Sequence, residues 1–207
     1  VVLDAQPDSN VVVAISVSDS SESSVNSPLT FTSANWDTPQ VVTITGVDDD
    51  IIDGTINSTI TVTIVDAISD NQFDGVADQT VSVSTTDDDV AGFTVTETEG
   101  STGVDESGTT DIITVVLNAQ PASDVVITVT SSDTGEATVT SPLTFTSANW
   151  DTPQNVTVTG ADDELVDGTV NSTVTVSVND ASSDNNFDDV ADQTVSVSTT
   201  DDDVAGF

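Results

Sequence analysis

Apolar and polar residues alternate along most of this chain. From Gln154, Val156 and Val158 fall on one side and Thr157 and Thr159 on the other. Val170, Val174, Val176 and Val178 continue the habit in a second run. A period of two places successive side chains on opposite faces of a strand, so each run predicts a β-strand with one buried face. Seven strands are predicted between residues 90 and 203: A (Phe93–Thr98), B (Thr110–Leu117), C (Asp124–Thr130), D (Thr138–Phe145), E (Gln154–Thr159), F (Val170–Val178) and G (Gln193–Thr200). Gly, Asp, Asn, Ser and Pro gather between them, as turns require. No stretch carries an apolar period of 3.6 with helix caps. The expected fold is all-β: a seven-stranded antiparallel β-sandwich.

The pattern repeats. Sliding the chain by 114 residues aligns 1–93 with 115–207 without a gap, and about 66 of those 93 positions are identical. Ser27–Gln40 returns unchanged as Ser141–Gln154, and Val76–Phe93 as Val190–Phe207. A period this long is a domain and not a solenoid turn. Two domains are expected: 1–89, a first repeat holding strands B to G but not A, and 90–207, a second, complete repeat running into the start of the next. Repetition at this identity serves length and reach. Neighbouring repeats are the expected partners, together with other copies of the chain if the array forms a fibre. Only Val90-Ala91-Gly92 lie between strand G of one repeat and strand A of the next, too short a linker for independent tumbling.

Charge narrows the function. The chain has 37 acidic residues and no Lys, Arg or His, for a net charge of −37. Nucleic acid and anionic membrane surfaces are excluded as partners, because both need cations on the protein. Catalysis is not expected: without His, Lys, Arg, Cys or Tyr only carboxylates and hydroxyls remain. Cysteine is absent, so no disulfide can brace an extracellular domain. Self-repulsion on this scale calls for dissolved salt or bound cations.

Strand direction shows where cations would go. In a sandwich of alternating strands A, C, E and G run the same way, and their C-terminal ends meet at one pole. Each is followed by acids: Glu97 and Glu99; Asp133-Thr-Gly-Glu136; Asp162, Asp163, Glu164 and Asp167; and Asp201-Asp202-Asp203. The first repeat offers Asp19, Asp48-Asp49-Asp50, Asp53 and Asp87-Asp88-Asp89. Calcium, with six to eight oxygen ligands in flexible geometry, suits such a set. Zinc would want His or Cys. The expected ligands are therefore Asp19, Asp48, Asp49, Asp53 and Asp87 to Asp89 in the first repeat. In the second they are Glu97, Glu99, Asp133, Asp162, Asp163, Asp167 and Asp201 to Asp203.

Three short motifs carry a resemblance. Phe93-Thr-Val-Thr-Glu97, Asp162-Asp163-x-Leu165-x-Asp167 after a Val-Thr-Val-Thr strand, and the closing Val-Ser-Thr-Thr-Asp201-Asp202-Asp203 resemble Calx-beta domains. That resemblance implies an immunoglobulin-like sandwich with calcium held by Glu97, Asp133, Asp162, Asp163, Asp167 and Asp201 to Asp203, and by the Leu165 carbonyl. The family carries Glu where this chain has Asp167. The stretch Pro142–Gln154 looks more like the repeats of large bacterial adhesins and surface arrays. The function expected is a structural calcium-binding repeat of a long extracellular or cell-surface protein, an adhesin stalk or fibre stiffened by calcium at its joints. Two alternatives stand beside it: a filament subunit completed by a partner's strand, and a glycan- or partner-binding module built on the Asn149-Trp150 region. Asn57, Asn155 and Asn171 fit the N-glycosylation pattern.

Overall fold

A strand forms only where a neighbour takes up its backbone N–H and C=O groups, and the two copies of the repeat differ in the neighbours they have. The computed structural model describes residues 1–207. They divide into unit 1 (Val1–Asp49 with Asp53–Asp88) and unit 2 (Asp50–Ile52 with Asp89–Phe207).

Unit 1 contains β1 (Val11–Val17), β2 (Ser23–Val25), β3 (Leu29–Phe31), β4 (Ile44–Gly46), β5 (Ile56–Ile64) and β6 (Gln79–Thr85). Unit 2 contains β7 (Phe93–Glu97), β8 (Thr102–Asp105), β9 (Thr110–Leu117), β10 (Val125–Ser131), β11 (Ala137–Val139), β12 (Leu143–Phe145), β13 (Gln154–Gly160), β14 (Val170–Val178) and β15 (Gln193–Thr200). Four single-turn 3-10 segments link β5 to β6 and β14 to β15.

Unit 2 is a β-sandwich. One sheet has the order β12-β10-β14-β15-β8 and the other β11-β13-β9-β7. Alternate residues of each strand point inward: Ile113, Val115, Val125, Ile127, Val156, Val158, Val174, Val176 and Val197 are buried between the sheets, with Phe145 and Phe187. The Thr, Ser and Asn residues between them face outward.

Two expectations need correction. Strand D is not one strand from Thr138 to Phe145. It is β11, paired with β13, and β12, paired with β10 in the opposite sheet. Pro142 explains the break: it has no N–H to donate and cannot continue a ladder. The Ser141 hydroxyl then accepts the Val129 amide at 2.9 Å, occupying a ladder position the chain has vacated. The region after strand A also holds a further strand. β8 pairs with β15, and the pairing is parallel, from Val197↔Thr102 to Thr200↔Asp105. The sandwich is otherwise antiparallel.

In unit 1 the strand expected at its beginning, the counterpart of β9, does not form. Leu3 N–H donates to the Trp36 carbonyl (3.1 Å) and Gln40 N–H to the Val1 carbonyl (2.8 Å), but no strand is built on them. β4 spans three residues where its counterpart β13 spans seven. Unit 1 has one four-stranded sheet, β3-β1-β5-β6, and the two-stranded β2-β4. Its core is Val11, Val13, Ile15, Leu29, Phe31 and Ile60.

The unchanged segment Ser141–Gln154 has a local reason for its constancy. The Asn149 side-chain oxygen accepts the Thr146 amide (2.6 Å) and hydroxyl (3.0 Å). The Gln154 side-chain Nε2 donates to the Thr144 carbonyl (2.8 Å), and the Trp150 carbonyl accepts the Leu117 backbone amide (3.1 Å). The same bonds recur at Asn35, Gln40 and Trp36. Trp150 is half-buried against the core. The aromatic residue thus pins the turn between the two sheets.

Candidate metal centre

At the pole of unit 2 where β8, β10, β13 and β15 end, four chain segments bring carboxylates together. Glu106 follows β8 directly. The inward positions of that strand are Thr102 and Val104, both buried, and the next step of the alternation puts Glu106 inside as well, only 1 % exposed. Its amide donates to the Thr200 carbonyl at 3.1 Å, which fixes it beside the end of β15. Glu136 sits in the β10–β11 turn and is 6 % exposed, and its carbonyl accepts the Ala161 amide at 2.8 Å. Asp163 and Asp167 come from the β13–β14 loop, and Asp201 and Asp203 from the segment after β15.

Two sets of carboxylate oxygens lie within 4.8 Å of one another: Glu106 with Asp163 and Asp203, and Glu136 with Asp163 and Asp167. Asp163 belongs to both. One carboxylate oxygen each of Glu106, Glu136 and Asp203 is buried without a hydrogen-bond partner. A buried acceptor left unsatisfied is costly, and a buried charge more so.

Electrostatics follow from this packing. Burial raises the Glu106 carboxyl above the ordinary Glu value of 4.5, and Asp201 and Asp163 raise it further. Burial, Asp167 and Asp133 do the same for Glu136. Asp203 is raised by burial and by Glu164 and Asp201. Asp201 is lowered, because the Gly168 amide (2.8 Å) and the Asp203 amide (2.7 Å) donate to it. It therefore stays ionised beside neighbours that resist ionising.

The expected ligands distribute unevenly around this centre. Asp163, Asp167 and Asp203 lie in the two close sets. Asp133 and Asp201 also raise the Glu136 carboxyl, and Asp162 and Asp202 that of Asp203. Leu165 is exposed, and its amide donates to Asp163. Glu97 is placed elsewhere. It ends β7 opposite Ile113, three residues along β9 from Thr110, where that strand begins at the pole. Its carboxylate accepts the Thr102 hydroxyl at 3.3 Å. Glu99 is exposed in the turn that follows. Because β8 continues where β7 stops, the acid that reaches the pole is Glu106, which the motif reading missed. The signal was the alternation Thr102, Val104, Glu106, too short to stand out among three glycines.

Unit 1 repeats part of the arrangement. Glu22, the counterpart of Glu136, is buried and raised by that burial and by Asp53, Asp19 and Asp49. Asp87 accepts the Asp53 and Gly54 amides at 3.0 and 2.8 Å. Asp19 is lowered by the Ser21 hydroxyl and amide. Asp48 and Asp88 are exposed. Asp89 is partly buried and falls within unit 2.

The donors fit a hard cation. Every group in the two sets is a carboxylate, three of their buried oxygens lack a hydrogen-bond partner, and the chain has no basic side chain to fill the role. An oxygen-only set of this kind suits a hard cation and not zinc, which favours nitrogen and sulfur. The three sequons lie on exposed strand positions, Asn57 in β5, Asn155 in β13 and Asn171 in β14.

No family model matches the chain, and no curated protein does. Among solved structures it is similar to domains 1–6 of the surface layer protein SbsC (16% identity, 94% of this chain and 20% of that one, TM-score 0.41). A fragment comprising domains 4 and 5 of the S-layer protein SbsC is similar over 91% of this chain and 70% of the fragment (15% identity, TM-score 0.39). The E. coli chaperone DraB is similar over 56% of this chain and 59% of its own (7% identity, TM-score 0.39). The chain thus spans less than two thirds of the chaperone and about a fifth of the longer SbsC structure.

Proposed function

We propose that this chain is a structural repeat module of a long extracellular or cell-surface protein, non-catalytic, whose acidic pole binds calcium. One observation carries the reading. Glu106 and Glu136 are buried with unpartnered oxygens facing Asp163, in a chain without a single basic side chain. Such a cluster is self-repelling until a cation enters it. Ligands from separate segments of the sandwich would then be drawn together by one ion. The near-identity of successive repeats supports a role in length. The short Val90-Ala91-Gly92 connection, and the acids that end β15 just before its counterpart, support a calcium-stiffened link between repeats. The Calx-beta-like motifs agree with this reading.

Titration calorimetry of the chelator-treated chain tests it. Calcium should bind with measurable heat, and magnesium, which holds its water and demands a strict octahedron, far more weakly. Small-angle scattering should show a larger maximum dimension with calcium than with chelator. Absence of calcium binding would overturn the reading.

A further inference from the structure

We propose that Glu106, Asp163 and Asp203 form a divalent-cation site whose job is to latch strand β8 onto β15. This rests on the reading that the pole takes calcium, and it separates the two acid sets by what each one holds.

β8 is the weakly held member of its sheet. It is an edge strand of four residues, joined to β15 through a parallel ladder. Parallel pairing is the less stable kind per residue. The Asp105–Gly108 turn that follows is tied internally, with Asp105 accepting the Ser107 amide and hydroxyl. At its end β8 packs directly against β13: a Cβ placed on Gly160 would lie 1.9 Å from the Asp105 carbonyl oxygen. The strand has no room to move inward and can only peel outward.

Glu106 stands at that end. It is the ligand contributed by β8, while Asp163 comes from the β13–β14 loop and Asp203 from beyond β15. Without a cation, three carboxylates within 4.8 Å push β8 away from the two segments it must join. With a cation the same three groups become a clamp across them. The unpartnered oxygens of Glu106 and Asp203 are the ones such an ion would satisfy. Glu136, Asp163 and Asp167 lie instead on the β10–β11 and β13–β14 loops, and an ion there ties loop to loop. Cation release at the Glu106 set therefore frees β8 and uncovers the outer edge of β15, an unpaired edge of the kind that recruits other strands.

The test is hydrogen exchange on the full chain with calcium and with chelator, run beside calorimetry. Chelation is expected to speed exchange of the β8 amides by about tenfold or more while the β9–β13 ladder holds its protection. Glu106→Gln should abolish the calcium sensitivity of β8 and lower the calcium stoichiometry, yet leave binding at the Glu136 set. Asp203→Asn, outside the strands, should do the same and serves if Glu106→Gln does not fold. Glu136→Gln should leave the β8 response in place. If calcium binds but β8 protection is indifferent to it, the latch is wrong and the calcium reading survives. If no calcium binds and β8 does not respond, both fall.

Discussion

Single carboxyl groups set the pH response of the metal-free chain. Glu22, Glu106, Glu136 and Asp203 are raised in the folded state. A raised group binds its proton more tightly when folded. Its stabilising contribution is complete below the unfolded value and is lost as pH rises through the folded one. Asp19, Asp70, Asp105, Asp184 and Asp201 are lowered. Their contribution is present above the ordinary Asp value and is lost as pH falls below it. With ordinary values of 3.8 for Asp and 4.5 for Glu, the two trends cross between them. Chemical denaturation in chelator, followed by Trp fluorescence, should therefore show greatest stability near pH 4 and a decline on both sides. Saturating calcium should remove the decline on the alkaline side. Asp184 has a second, purely structural part. It is buried and accepts the Ser123 amide (2.8 Å) and the Asn186 amide (3.0 Å), capping a 3-10 turn. Asp184→Ala should cost roughly 1–2 kcal/mol in urea denaturation, as the loss of a cap does. None of this residue chemistry was legible as such in the sequence. Every acid looked alike there, and burial alone separates Glu106 from the exposed Asp162.

Elements answer to their neighbours, and the repeat supplies internal controls. Gly46 and Gly160 occupy the same place in the two copies. At Gly160 an added Cβ meets the Asp105 backbone at 1.9 Å; at Gly46 the nearest atom is the Thr85 methyl at 3.9 Å. Gly160→Ala should displace β8 and lower the unit 2 melting transition markedly. Gly46→Ala should leave unit 1 within about 0.5 kcal/mol of the parent. Differential scanning calorimetry of both variants checks the contrast. The same comparison shows what periodicity could and could not reveal. Strands A, B, C, E, F and G were readable because each alternates over five or more residues with Val or Ile inward. β8 was not, since two inward residues do not make a pattern. The break in strand D was marked by Pro142, but the switch of β12 to the other sheet depends on β10 having a free edge there. β4 and β13 have closely similar sequences and different lengths, because β13 has β9 beside it and β4 has no counterpart of β9. Val158 is fully buried, whereas Ile44 at the same place in unit 1 is 40 % exposed.

For the whole molecule the governing quantity is a net charge of −37 with no cationic side chain to offset it. Simple salt and calcium should act differently. Sodium chloride near 1 M shortens the screening length to about 3 Å and relieves repulsion among exposed carboxylates. It cannot satisfy a buried oxygen. Thermal melts should rise gradually with sodium chloride in chelator, then rise again with millimolar calcium at constant ionic strength. A calcium increment that vanished in high salt would mean that the ion acts only by screening.

The sequence by itself determined the repeat, the all-β class, most strand positions and the uncompensated negative charge, because alternation, period and charge are properties of order along a chain. It also located the acidic pole, since alternating strands must send every second end the same way. The tertiary structure decided which acids are buried, that β8 exists and pairs in parallel with β15, and that Glu106 lies beside Asp163 and Asp203. Those depend on which segments meet across the sandwich. Burial of a charge is a property of that meeting and not of the residue.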